Sequence, residues 1–300
     1  MPSKPCIYVS VPDDTHLTDE QLSLKNAILK AITDKGLELQ IFHKTGIPAN
    51  QAWSFQNANS LMSRCHGVAV LAFAKWRGAR QLNGQVADLP SEYNHLEGGL
   101  AIAHNVPILL VTDRTVNTAG ITYVGGGARV YFWPRDRGPD WVHSDDFGQY
   151  LSMWVNEITS HRKVFLGYCS RAKPTADAVT LYIEHELGTK VLNYSLDFRP
   201  GNFILEQIEN AANECTCGVF LFTKDDEIVG AENQAAPRDN VIFEAGYFTR
   251  AKGKERVLII REEGTKMPAD LGGVVYISLK NREDIAPIET QIRRFLDDRL

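Results

Sequence analysis

Apolar and polar positions along the 300-residue chain follow two alternating periods. Short runs rich in β-branched and aromatic residues read as buried strands. Between them lie segments with apolar residues three and four apart, which read as helices. Strands joined by crossover helices make a parallel sheet covered on both faces. In the second half, KVFLGYC (163–169) is a first strand, followed by a helix through Leu187 and a second strand in KVLNYS (190–195). GNFILEQIENAA begins just after Pro200 with apolar positions 204, 205, 208, 211 and 212 on one helical face. CGVFLFT (217–223) is a third strand, PRDNVIFEAGYFTRAKG a helix with Pro237 near its start, and RVLIIRE (256–262) a fourth strand. GGVVYISL and a closing helix through IETQIRRFL complete the unit.

The first half repeats this order. CIYVSV, a helix ending at Gly36, LELQIF and a helix through NANSLMSR are followed by GVAVLAF, SEYNHLEGGLAIAHN and VPILLVTD. GGARVYF (126–132) answers GGVVYIS (272–278), and a helix from Phe147 to Ile158 answers the C-terminal one. Glu97 thereby falls opposite Glu244, each on the helix that precedes an apolar strand. The fold class expected is α/β, with two tandem flavodoxin-like domains, 1–160 and 161–300, each a parallel sheet flanked by helices. One large doubly wound sheet is the alternative, and it leaves the second opening strand unexplained.

Composition narrows the function more than the fold. With 44% hydrophobic and 23% charged residues the chain is ordinary for a soluble globular protein. Its formal charge of −5 and scattered Lys and Arg leave no footprint for direct nucleic-acid or membrane binding, so a small or nucleotide-like ligand fits better. No stretch approaches the ~18 apolar residues of a membrane span, and the N-terminus runs directly into a strand, so a cytoplasmic location is expected. Five cysteines make an odd count without a spaced framework, as for reduced thiols. Cys215 and Cys217 lack a second ligand pair and are assigned to core packing, and His43, His66, His95 and His104 show no metal spacing.

One residue disturbs the pattern. Glu244 stands inside the otherwise apolar run Val241–Phe248, sharing a helix face with Asn240 beside the apolar face of Val241, Ala245 and Phe248. A pairing with Arg238 or Arg250 at the protein edge is the ordinary explanation. Two features favour a site instead. The helix follows the third strand, and open parallel sheets bind ligands outside the carboxyl ends of their strands. It is also preceded by a long polar loop, TKDDEIVGAENQAAPRD. No glycine-rich phosphate loop is present, which argues against a conventional dinucleotide oxidoreductase.

VFLGYCS, FRPG before a helix, FLFTKDD, PRDNVIFEAGYF and MPADLGGVVYI occur in that order. On these motifs residues 163–300 resemble TIR-like domains, specifically the bacterial nucleotide-binding branch found beside or fused to STING-like sensors in anti-phage defence. The resemblance implies a catalytic glutamate at Glu244 and hydrolysis of NAD at its nicotinamide N-glycosidic bond. NAD is then the substrate, with no further cofactor and no metal. Ser170 and Arg171, after the first strand, are suited to ribose or pyrophosphate, and Tyr194 and Phe198 to stacking on a base. Asp226, Arg238, Asp239 and Asn240 at the ends of the polar loop complete the expected substrate-binding set. Helix initiation, core packing and loop closure are the alternative roles of these residues. TIR domains commonly work as assemblies, so a homo-oligomer is expected, with a nucleotide activator or sensor protein as a further partner. The first half resembles the family more loosely, with LPSEYNHLEGG in place of PRDNVIFEAGY. It is also similar to nucleoside deoxyribosyltransferase-like folds. A second active site, a nucleotide sensor and an inert assembly domain stay open for it, sensor or assembly being favoured. For the whole chain the competing function is a non-enzymatic nucleotide-binding or scaffold protein.

Overall fold

A computed structural model describes residues 4–42, 53–80, 84, 86–193, 204–227 and 235–300. The chain divides into two compact units, Lys4–Ser160 and His161–Leu300.

The N-terminal unit runs β1 (Cys6–Ser10), α1 (Asp19–Asp34), β2 (Glu38–Ile41), α2 (Phe55–Met62) and β3 (Gly67–Ala72). A hairpin, β4 (Trp76–Arg80) and β5 (Val86–Leu89), precedes α3 (Glu92–Ala103), β6 (Ile108–Asp113), β7 (Val130–Trp133) and α4 (Asp145–Ser160). Its sheet is ordered β2-β1-β3-β6-β7 and is parallel throughout.

The C-terminal unit runs β8 (Lys163–Gly167), α5 (Lys173–Leu181), β9 (Lys190–Asn193), α6 (Ile204–Glu214) and β10 (Cys217–Phe222). A minimal hairpin, β11 (Asp226–Glu227) and β12 (Ala235–Ala236), leads to α7 (Asp239–Lys252), β13 (Val257–Glu262), β14 (Val275–Leu279) and α8 (Glu289–Asp297). The parallel sheet reads β9-β8-β10-β13-β14. Counted from each unit's first strand both orders are 2-1-3-4-5, the flavodoxin-like winding whose direction reverses between the first and third strands.

Strand alternation builds a core on each face of each sheet. In the C-terminal unit Val164, Leu166, Val219, Leu221, Leu258 and Ile260 face α5 and α8. Phe165, Phe220, Phe222, Val257 and Ile259 face the other way, onto Ile208 of α6 and Val241, Ala245 and Phe248 of α7. The N-terminal sheet divides identically, with Ile7, Val9, Ala69 and Leu71 on one side. Tyr8, Val68 and Val70 pack on the other, against Ala58 of α2 and Leu100 and Ala101 of α3. Gly218 lets α7 lie close, because a Cβ there would meet Phe248 Cδ1 at 2.9 Å.

Two local expectations are revised. The helix expected through Leu187 is α-helical only to Leu181, and Tyr182–Glu186 continue it as a π-turn. The polar segment before α7 is tied by antiparallel pairing of Asp226 with Ala236 and Glu227 with Ala235. A two-residue strand carries too little pattern to be read in advance. Among the described residues no helix is long and apolar enough to cross a membrane. Cys215 and Cys217 are buried in the C-terminal core, with both thiols pushed upward in pKa by burial.

Candidate active site

Glu244 is the sixth residue of α7. Val241, Ala245 and Phe248 lock that helix onto the sheet, and the carboxylate, one step round from them, is carried inward to 4% exposure. It lies against the carboxyl end of β8, where a Cβ on Gly167 would stand 2.8 Å from Glu244 Oε2 and 2.6 Å from Phe220 Cδ1. Glycine at 167 is what admits the carboxylate. Neither Arg238 nor Arg250 pairs with it, and among the described residues no hydrogen-bond donor meets the buried Oε2. Burial alone pushes its pKa to about 8. A buried polar atom without a partner costs roughly 1–3 kcal/mol and calls for an explanation.

The entry to α7 is organised by a buried residue, Asp225. Its carboxylate accepts from Thr223 Oγ1 at 2.9 and 3.0 Å and from the Arg238 amide at 3.3 Å, joining the end of β10 to the start of α7. Arg171 Nη1 donates to the Asp225 carbonyl at 2.6 Å, so this guanidinium braces the hairpin. Arg238 Nη1 donates to both Asp226 oxygens at 3.2 Å, closing the loop ends as an ion pair at the surface. Ser170 is exposed at the start of the 3-10 turn after β8, and Asp239 and Asn240 are exposed in the first turn of α7. Ser170 and Arg171 thus follow β8, the unit's first strand, and Asp226, Arg238, Asp239 and Asn240 lie on the hairpin and helix start that follow β10, its third. Tyr194 and Phe198 lie outside the described residues. Gly167 is the residue sequence reasoning passed over, and Asp225, read only as one of the acidic residues at the loop ends, is the one whose burial was missed. A glycine closing an apolar strand was the available signal for the first, whereas nothing in TKDD separates a buried aspartate from its exposed neighbour.

A buried carboxylate at the winding reversal of a five-stranded parallel sheet, on the helix after the third strand, marks the candidate site of the C-terminal unit. Residues 163–281 match the family model for "CAP12/Pycsar effector protein, TIR domain". The chain is similar to the Pycsar effector protein PaPycTIR of Pseudomonas aeruginosa, 32% identical over 130 residues, covering 41% of this chain and 42% of the relative. BcPycTIR of Burkholderia cepacia is 37% identical over 130 residues, covering 42% and 43%. The CD-NTase-associated protein 12 of Flavobacterium daejeonense is 33% identical over 116 residues, covering 37% and 36%. The chain thus spans less than half the length of each of these relatives.

The same position in the N-terminal unit is built differently. Glu97 is the sixth residue of α3 and is 5% exposed, but Tyr8 Oη donates to its Oε1 at 2.5 Å and Trp53 Nε1 donates to the same oxygen at 2.8 Å. Ser10 is a further donor, and its hydroxyl in turn accepts from Asn94 Nδ2 at 2.9 Å. Burial raises the pKa of Glu97 while these three donors oppose the rise.

Proposed function

We propose that the C-terminal unit hydrolyses NAD at the nicotinamide N-glycosidic bond, as the effector of a regulated bacterial anti-phage defence system. The observation that carries this reading is the unpartnered, buried Oε2 of Glu244 at the winding reversal of the sheet. Breaking the C1′–N bond sends its electron pair to the nicotinamide, which leaves neutral and needs no proton donor. Positive charge develops on the ribose, water adds to C1′, and that water's proton is released. A single carboxylate serves this chemistry by accepting from ribose hydroxyls and facing the developing charge, strengthened by its apolar surround. Ribose donors and the cationic nicotinamide both favour the ionised carboxylate, so bound substrate draws Glu244 down from its raised pKa.

In this reading Ser170, Arg171, Asp226, Arg238, Asp239 and Asn240 wall the substrate, with Tyr194 and Phe198 supplying aromatic surface. Arg171 and Arg238 shape the wall through the bonds they make to the hairpin as well as through charge. The N-terminal unit serves sensing or assembly, because the donors around Glu97 leave its carboxylate engaged. Activity depends on self-association, a second subunit completing the wall, with a nucleotide activator or sensor protein as the trigger. A non-enzymatic scaffold would have no use for an unpartnered buried carboxylate.

The test is nicotinamide release from NAD over a wide protein concentration series, with and without candidate nucleotides. Wild type is expected to turn over, with specific activity rising on assembly. Glu244→Gln is expected to lose a factor of about 10² or more. Wild-type turnover in Glu244→Gln removes the site, and constant specific activity in a preparation that stays monomeric removes the dependence on assembly.

A further inference from the structure

The two units provide an internal control. Aligning the pairings of the first with the third strand, Tyr8 opposite Val68 and Phe165 opposite Gly218, superposes β1 on β8 residue for residue. Tyr8 then corresponds to Phe165 and Ser10 to Gly167. Both members of each pair point to the face covered by the glutamate-bearing helix. The two side chains of β1 that donate to Glu97 are therefore the two whose hydroxyls are missing from β8. The change at 167 removes the Cβ as well, which brings Glu244 Oε2 directly over the strand.

We infer that residues 165 and 167 decide whether the buried carboxylate is engaged by its own chain or left to a hydroxyl-bearing ligand, Phe165 and Gly167 being positioning residues of the Glu244 site. The hydroxyls that Tyr8 and Ser10 give Glu97 are replaced, at Glu244, by hydroxyls of the ligand. The inference deepens the NAD-hydrolysis reading and rests on it for the ligand. For the carboxylate it stands by itself. It makes the N-terminal unit a self-ligated copy of the same site, in which two residues of the first strand act together with Trp53.

Phe165→Tyr returns a hydroxyl at the place from which Tyr8 reaches Glu97, in a ring already stacked on Phe248 at 4.7 Å. Gly167→Ser returns the other, at the cost of moving Phe220 and Glu244. The measurements, made on the full chain, are the titration of Glu244 by carbon NMR of glutamate-labelled protein and the affinity for NAD and ADP-ribose by calorimetry. Thermal unfolding of each variant accompanies them. In Phe165→Tyr the Glu244 titration is expected to fall by about one unit or more, as for a carboxylate gaining a donor, and affinity for both probes to fall roughly tenfold or further. In the wild type, saturating ADP-ribose is expected to lower the same titration. A Glu244 titration unmoved in a folded Phe165→Tyr overturns the inference, as does a lowered titration with probe affinity intact. If Phe165→Tyr does not fold, the wild-type titration and Gly167→Ser decide in the same terms. Should neither probe bind the wild type while Phe165→Tyr still lowers the titration, the NAD reading fails and the control by residues 165 and 167 stands.

Discussion

Glu97 and Glu244 occupy the sixth position of equivalent helices, both on the same face of a 2-1-3-4-5 sheet and both almost fully buried. Burial raises both pKa values. Neither burial nor a perturbed pKa therefore separates a structural carboxylate from a candidate catalytic one. What separates them is the supply of donors: Tyr8, Ser10 and Trp53 surround Glu97, whereas Oε2 of Glu244 meets none among the described residues. A buried carboxylate that its own chain has satisfied is part of the fold. One left unsatisfied weakens the fold, and on the proposed reading that cost keeps a site ready for a ligand.

The sharpest way to break this comparison is to delete each carboxylate in turn. Glu97→Ala strands the Tyr8 hydroxyl and the Trp53 indole N–H, and is expected to destabilise the N-terminal unit by about 3 kcal/mol. Glu244→Ala strands no described donor and removes an unsatisfied oxygen, so at about pH 4, where the carboxyl is protonated in the folded state, its effect on the C-terminal unit is expected to be below about 1 kcal/mol, of either sign. Urea unfolding followed by probes in each unit measures both. Equal losses from the two deletions would abolish the distinction drawn here.

A pH series sharpens the comparison by its sign. The folded-state pKa of Glu244, about 8, lies above the ordinary carboxyl value of 4.5. A raised folded pKa means that stability is fully present below the unfolded value and is lost as pH rises through the folded one. The C-terminal unit is therefore expected to lose a few kcal/mol between about pH 4.5 and 8, at roughly 1.4 kcal/mol per pKa unit. Glu244→Gln is expected to remove this component and to be more stable than wild type at pH 8. Denaturant midpoints of both proteins at a series of pH values check this, and parallel curves would show that Glu244 ionises without penalty.

Most of the scaffold was legible in the sequence, because buried parallel strands are continuous apolar runs such as VFLG and GVFLF, and their crossover helices are amphipathic. Glu244 itself was legible as a charge inside VIFEAGYF. Its isolation was not, because partners such as Arg238 are excluded by helix rotation and by the pull of Asp226, which are tertiary facts. The contrast between Tyr8 and Phe165 was hidden for a related reason. CIYVS and KVFLG both read simply as strands, and only the register against the third strand shows which side chain turns toward the glutamate. The hairpin β11–β12 escaped because pairs of two residues carry no period.

The smallest expected effects belong to the hairpins, which both units place between the third strand and the glutamate-bearing helix. Each is pinned to the start of that helix by an ion pair, Lys75 to Glu92 at 2.9 Å in one unit and Arg238 to Asp226 at 3.2 Å in the other. In the C-terminal pair both side chains are more than two-fifths exposed, which limits the interaction to about 0.2–1 kcal/mol. A double-mutant cycle with Arg238→Ala and Asp226→Ala is expected to return a coupling in that range, shrinking as salt is added. On the proposed reading Arg238 walls the substrate without meeting Glu244 Oε2, so Arg238→Ala should raise KM for NAD a few-fold and leave kcat nearly unchanged. A fall in kcat as deep as that of Glu244→Gln would instead place the guanidinium in the chemistry, and the two hairpins would then differ as fundamentally as the two glutamates do.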